Sequence, residues 1–116
     1  MKERISQINS LIAQTLSDIF LKEIEMEEKP LITIDYVKTS KDLSFANIYI
    51  SVFPQEKTKG VLDYLSRKRG YFQKLLFQKI NFKKNPKIHF FENKKQREVE
   101  EIEKVFEKIE KEKNKE

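Results

Sequence analysis

LITIDYVKTSKDLSFANIYISVF, residues 31–53, holds two runs of β-branched and aromatic residues separated by a short polar turn. In the first run Ile32, Ile34 and Tyr36 alternate with Thr33, Asp35 and Val37; in the second, Ile48, Ile50 and Val52 alternate with Asn47, Tyr49, Ser51 and Phe53. A period of two is that of a strand, whose successive side chains point to opposite faces. Between the runs, SKDL supplies the side chains of Ser40 and Asp42, which satisfy nearby backbone groups in a turn. Two strands so closely joined predict an antiparallel hairpin.

Upstream, Ile5, Ile8, Ile12, Leu16, Ile19 and Phe20 recur at spacings of three and four, which predicts an amphipathic helix from Arg4 to about Ile24. Pro30 ends that segment, because it disfavours helical geometry at Lys29 and has no amide proton. Downstream, Pro54 and QEKTKG close the hairpin, with Thr58 read as the cap of a short helix through Val61, Leu62 and Leu65. Gly70 interrupts this pattern, and the helical period resumes at Phe72, Leu75, Leu76 and Ile80, which predicts a second helix set off by a kink at the glycine. NPKIHFF then gives a turn and a third strand through Ile88, His89, Phe90 and Phe91. The predicted order is helix, strand, strand, helix, helix, strand. Val99, Ile102, Val105 or Phe106, and Ile109 continue at helical spacing in a charged tail, so residues 1–93 read as one domain and 94–116 as a helix or partly disordered extension.

Charge is distributed unevenly along these elements. Residues 1–63 carry eight Lys/Arg and ten Asp/Glu, and residues 92–116 carry eight and nine, whereas residues 64–91 carry eight cations and no carboxylate. Enrichment in lysine and glutamate together, a trend of heat-adapted proteins, accounts for the mixed tail but not for this gap. A local excess of one sign is the electrostatic footprint of a polyanion site. Gly70 permits backbone geometry closed to other residues, and the N-terminus of the helix after it offers amides to a phosphate oxygen. Arg67, Lys68 and Arg69 stand beside it; Lys74, Lys79, Lys83 and Lys84 follow, placed to track more of a nucleic-acid backbone. These seven cations and Gly70 are the candidate site.

Other chemistry finds little purchase. The 116-residue chain has no cysteine, which removes disulfides, thiolate nucleophiles and sulfur ligands and fits a reducing compartment. No apolar run approaches the length that spans a bilayer, so no membrane is expected and the reading is a cytoplasmic protein. His89, the single histidine, lies between apolar neighbours and reads as structural or surface; Asp35, Asp42 and Asp63 form no pair, and Asp42 reads as a turn residue. Tyr36, Tyr49 and Phe53 read as cross-strand or core partners before base-stacking residues. There is no nucleotide loop, metal cluster or nucleophile–base pattern, so neither cofactor nor catalysis is expected.

Ser40, Asp42, Leu43, Ala46, Ile48, Tyr49, Ile50, Ser51 and Val52 resemble the signature of the ribosome-binding factor A family, a Val-Ser-Pro-Asp-Leu turn leading into Ala-x-Val-Tyr-Val-Ser. The similarity extends from the opening helix to about Asn93. It implies an α+β fold of the type II KH-like class, with helices packed on one face of a three-stranded sheet. Where KH domains carry a Gly-x-x-Gly loop, this family is expected to have an Ala-x-Gly kink; Lys68-Arg69-Gly70 keeps the glycine and replaces the alanine by a cation. The resemblance implies a non-catalytic assembly factor, monomeric when free, whose partners are the immature small (30S) ribosomal subunit and its 16S rRNA. It further implies late rRNA maturation near the 5′-terminal helix, release before translation and importance in the cold. Two rivals stay open from the residues alone: a small DNA-binding regulator using the kinked pair as a helix-turn-helix, and a protein-binding scaffold using the C-terminal helix.

Overall fold

A computed structural model of the chain describes residues 2–27, 29–82 and 84–94. Helix α1 spans Lys2–Glu23, strands β1 and β2 span Leu31–Thr39 and Phe45–Phe53, helices α2 and α3 span Thr58–Arg67 and Arg69–Lys79, and β3 spans Lys87–Glu92. The strands form one sheet in the order β1-β2-β3, antiparallel between the first two and parallel between the last two. This α-β-β-α-α-β order is that of the type II KH-like class. A parallel partner for β2 requires a crossover, and α2 with α3 supplies it across the face that α1 also covers. The tail helix expected through Val99, Ile102, Val105, Phe106 and Ile109 falls outside the described residues. Among the described residues no helix is long and apolar enough to cross a membrane.

The core follows the two periods read from the sequence. Ile12, Leu16, Ile19 and Phe20 form the buried stripe of α1, and Ala46, Ile48, Ile50 and Val52 form the buried face of β2. Phe72 of α3 is wholly buried, with its ring 5.3 Å edge-on from Phe20, which in turn lies 5.9 Å from Phe90 of β3. One ring from each of three elements therefore meets in the centre. Full burial of such a side chain contributes about 1.5–3 kcal/mol.

Three local expectations change. Strict alternation along β1 places Tyr36 with Ile32 and Ile34, but Ile34 pairs with Ile50 while Tyr36 pairs with Tyr49, leaving Asp35 as an extra residue in a β-bulge. Beyond the bulge the faces exchange: Val37 is buried opposite Ile48, and Tyr36 turns to the far side of the sheet. There Tyr36 stacks on Tyr49 at 4.5 Å, and Tyr49 on Phe91 at 5.5 Å. Thr58 is the first residue of α2, and its hydroxyl donates to the Gln55 carbonyl (2.7 Å) instead of accepting an amide as a cap. Gly70 does not form the kink, for its φ is not positive and it lies inside α3. The break is Lys68 alone, at φ −100° and ψ 15°.

Candidate nucleic-acid interface

The helix pair breaks for one residue and keeps its hydrogen bonding on both sides of it. The Lys68 amide donates to the Tyr64 carbonyl (3.1 Å), and the Phe72 amide donates to the Lys68 carbonyl (3.0 Å). The Lys68 ammonium lies 5.3 Å from the ring centre of Tyr64 and 5.7 Å from that of Tyr71, a cation held over two aromatic faces. Arg69 Nη1 donates to Gln73 Oε1 (3.3 Å), and the same oxygen accepts from the Ile88 amide (3.2 Å). Gln73 thus couples the first turn of α3 to the beginning of β3.

Positions 70, 73, 74, 77 and 78 fall on one side of α3 because helical neighbours are three and four apart. With the residues that lead into β3 they enclose a groove of about 530 Å³. Arg69, Lys74 and Lys87 supply its cations; Gln73, Gln78 and Asn85 supply amides able to donate and accept; Phe77 supplies an aromatic wall. Gly70 keeps the lip low, and a Cβ added to it would meet no atom within 4 Å. Cations for phosphates, amides for base edges and a ring for stacking are the set that a single-stranded nucleic acid uses.

The structure gathers only part of the sequence-predicted site. Arg69, Gly70 and Lys74 line the groove. Arg67 ends α2 and Lys79 ends α3; both are exposed and neither lines it. Lys68 is tied to the two tyrosine rings. Lys84 reaches away, its ammonium donating to the Asp42 carbonyl at 3.2 Å. Lys83 falls outside the described residues. Sequence reading passed over Gln73, Phe77, Gln78 and Asn85 as site residues and counted Lys87 only as part of the basic run. For Gln73, Phe77 and Gln78 the available signal was helical spacing from Gly70; Asn85 and Lys87 lie beyond α3 and carry no such signal.

The turn between β1 and β2 is cross-braced from within. Ser40 Oγ donates to Asp42 Oδ1 (2.8 Å), the Ser44 amide donates to that same oxygen (3.0 Å), and the Phe45 amide donates to Ser40 Oγ (3.1 Å). Hydrogen bonds from Ser44 and Ser40 hold the Asp42 carboxyl at about 2. Asp42 is a turn residue, as its sequence context suggests. Leu43 in the same turn has φ 61°, a left-handed conformation uncommon for a branched side chain.

Comparison with known proteins follows the same fold. The family model for ribosome-binding factor A matches residues 4–106. Ribosome-binding factor A of Prosthecochloris aestuarii is 36% identical over 108 residues, covering 88% of each chain. That of Fervidobacterium nodosum is 34% identical over 90 residues, covering 77% of this chain and 71% of the relative. The crystal structure of ribosome-binding factor A from Thermus thermophilus superposes with a TM-score of 0.64 at 24% identity, over 76% of this chain and 94% of that one. A homology model of the Thermus thermophilus factor, fitted into a cryo-EM map of a complex with the 30S subunit, gives 0.59 at 24% identity over 77% of this chain and 90% of that one.

Proposed function

Because the chain belongs to the ribosome-binding factor A family, we propose that it binds the immature small ribosomal subunit through single-stranded 16S rRNA laid in the groove between α3 and β3. The observation that carries this reading is the convergence of Arg69, Lys74 and Lys87 on a groove that also holds amides and a phenyl ring. No carboxylate occurs between Asp63 and Glu92 to oppose them. In this reading the protein works as a cytoplasmic monomer without catalysis. It prefers one conformation of the rRNA over another and so shifts a late folding equilibrium during maturation. Arg67, Lys68, Lys79 and Lys84 add a wider positive field around the groove that steers encounter.

The test is replacement of Arg69, Lys74 and Lys87 together by glutamate. None of the three is buried, so the melt is expected to stay cooperative while cosedimentation with free small subunits is lost. Arg67→Glu with Lys79→Glu, outside the groove, is expected to weaken binding less. With three or four phosphates neutralised on single strands, the wild-type logarithmic salt slope is expected at about −2 to −3. Retained cosedimentation of the folded triple variant overturns the site. The helix-turn-helix alternative has little geometric support: such pairs turn over about three or four residues, whereas Lys68 alone separates α2 from α3.

A further inference from the structure

Past the loop that follows α3, the chain encloses a second cavity, of about 320 Å³, between the start of α1, the β1–β2 turn and that loop. Its walls are apolar, formed by Ile5, Ile8, Leu43 and Phe82, and its rim carries Arg4, Lys41 and Lys84. The volume is at the lower end for small-ligand sites. We propose that this cavity receives one nucleobase turned out of a single-stranded RNA, with the three rim cations holding the phosphates on either side of it. The proposal rests on the RNA reading above and extends it to a second place on the surface.

Three observations converge on a base. First, three cations around an apolar pocket suit a ligand with a flat apolar body and an anionic attachment, which describes a nucleotide and not an aliphatic peptide segment. The nearest carboxylate in sequence to Lys41 and Leu43, that of Asp42, is engaged by Ser40 and Ser44, and it offsets only one of the three charges. Second, Phe82 gives the cavity an aromatic wall on which a base can stack. Third, Leu43 occupies a backbone conformation that glycine or asparagine would adopt at less cost. The turn tolerates it because the Leu43 amide donates to the Ser40 carbonyl (3.0 Å) and Ser40 and Asp42 brace the residues that follow. A strained leucine whose side chain lines a cavity points to use of that side chain.

Lys84 explains how the two sites join. It lies in the loop between α3 and β3, three residues before the groove cation Lys87, and its ammonium meets the Asp42 carbonyl. One strand of RNA therefore has a cationic path from the groove to the cavity.

The experiment uses the full chain, single-stranded RNA hexamers of each of the four bases, and an abasic ribose-phosphate hexamer of equal charge. Affinity is read by anisotropy, and the Ile5, Ile8 and Leu43 methyl groups are followed by NMR. At least one base-bearing hexamer is expected to shift those methyls while the abasic one does not. Leu43→Gly is expected to lower affinity for that hexamer about tenfold, to leave abasic binding unchanged, and to hold or raise the melting temperature. Arg4→Ala with Lys41→Ala is expected to weaken both. If hexamers bind and the groove triple variant weakens them, yet the methyls stay still in wild type, the cavity is not a base site and the groove reading stands. Equal effects of the base-bearing and abasic hexamers on the methyls would make it a plain anion site and overturn the proposal. Absence of binding by any hexamer to wild type overturns both readings. Should Leu43→Gly unfold, the wild-type methyl shifts decide alone.

Discussion

Gly70 is the second residue of α3, and nothing lies within 4 Å of the place a Cβ would take. It has no positive φ to protect. Alanine there is therefore expected to stabilise the fold by about 0.5–1 kcal/mol, the difference in helix propensity, and to raise the melting midpoint by a few degrees. A lowered midpoint would mean that the backbone at residue 70 departs from helical geometry. The position of a break within the basic run was legible from the sequence, but its residue was not. Glycine is the residue that advertises a bend, whereas Lys68, which bears it, takes its place through contacts with Tyr64 and Tyr71. Asp42 gives a second test at this scale. Its folded carboxyl is depressed to about 2 from the ordinary 3.8, so the stability it contributes is fully present above the ordinary value and is lost as pH falls through about 2. Between those limits the wild type is expected to lose stability more steeply than Asp42→Asn, as read by acid melts, with an NMR titration midpoint near 2 for the carboxyl.

Among elements, α3 and β3 are fastened by one side chain. Gln73 Oε1 accepts from Ile88 N–H, and Gln73→Leu leaves that partly buried amide without its acceptor. The expected loss is about 1–3 kcal/mol, together with a shift of the Arg69 guanidinium that the same oxygen orients. Small-subunit binding should then fall by more than the stability change explains, as checked by melts and cosedimentation. Helix and strand identities were legible because each element keeps its own period over several residues, as in the Ile12, Leu16, Ile19 and Phe20 stripe of α1. The faces of β1 were legible only as far as Ile34. Asp35 shifts the register by one, and no single residue in LITIDYVKT marks a bulge. The groove was half legible for a related reason: Gly70, Gln73, Lys74, Phe77 and Gln78 keep helical spacing along α3, but Lys87 and Asn85 come to it through a loop and a strand pairing that helical spacing does not encode.

For the molecule as a whole, the buried hydrophobic residues among those described run from Ile12 to Phe90. Residues 94–116 carry eight Lys/Arg and eight Asp/Glu, so their removal leaves the net charge at +5. Truncation after Asn93 is accordingly expected to keep a cooperative melt and RNA affinity, checked by calorimetry and by the hexamer assay. Loss of the melt would assign the tail to the core. The second cavity was not legible at all, since Arg4, Lys41 and Lys84 are far apart in sequence and meet only when α1, the β1–β2 turn and the β3 loop converge at one end of the sheet.

The bulge at Asp35 also bears on how copies of the chain tolerate one another. β1 lies at a border of the sheet, nine residues long and bearing the exposed Leu31 near its start, and a straight border strand of that length is a template for zipping two molecules together. A charged, extra residue at its middle, held by the Ser51 hydroxyl and by the Asn93 amide (2.7 Å), breaks the straight run that a neighbour would need. Deletion of Asp35 would restore unbroken alternation with Ile34 and Val37 still facing the helices. The altered protein is expected to remain folded but to associate as its concentration rises, visible by light scattering, while the natural chain stays apart at the same concentration. In a cell crowded with its own nascent chains, one aspartate would then separate a dispersed factor from a sticky one.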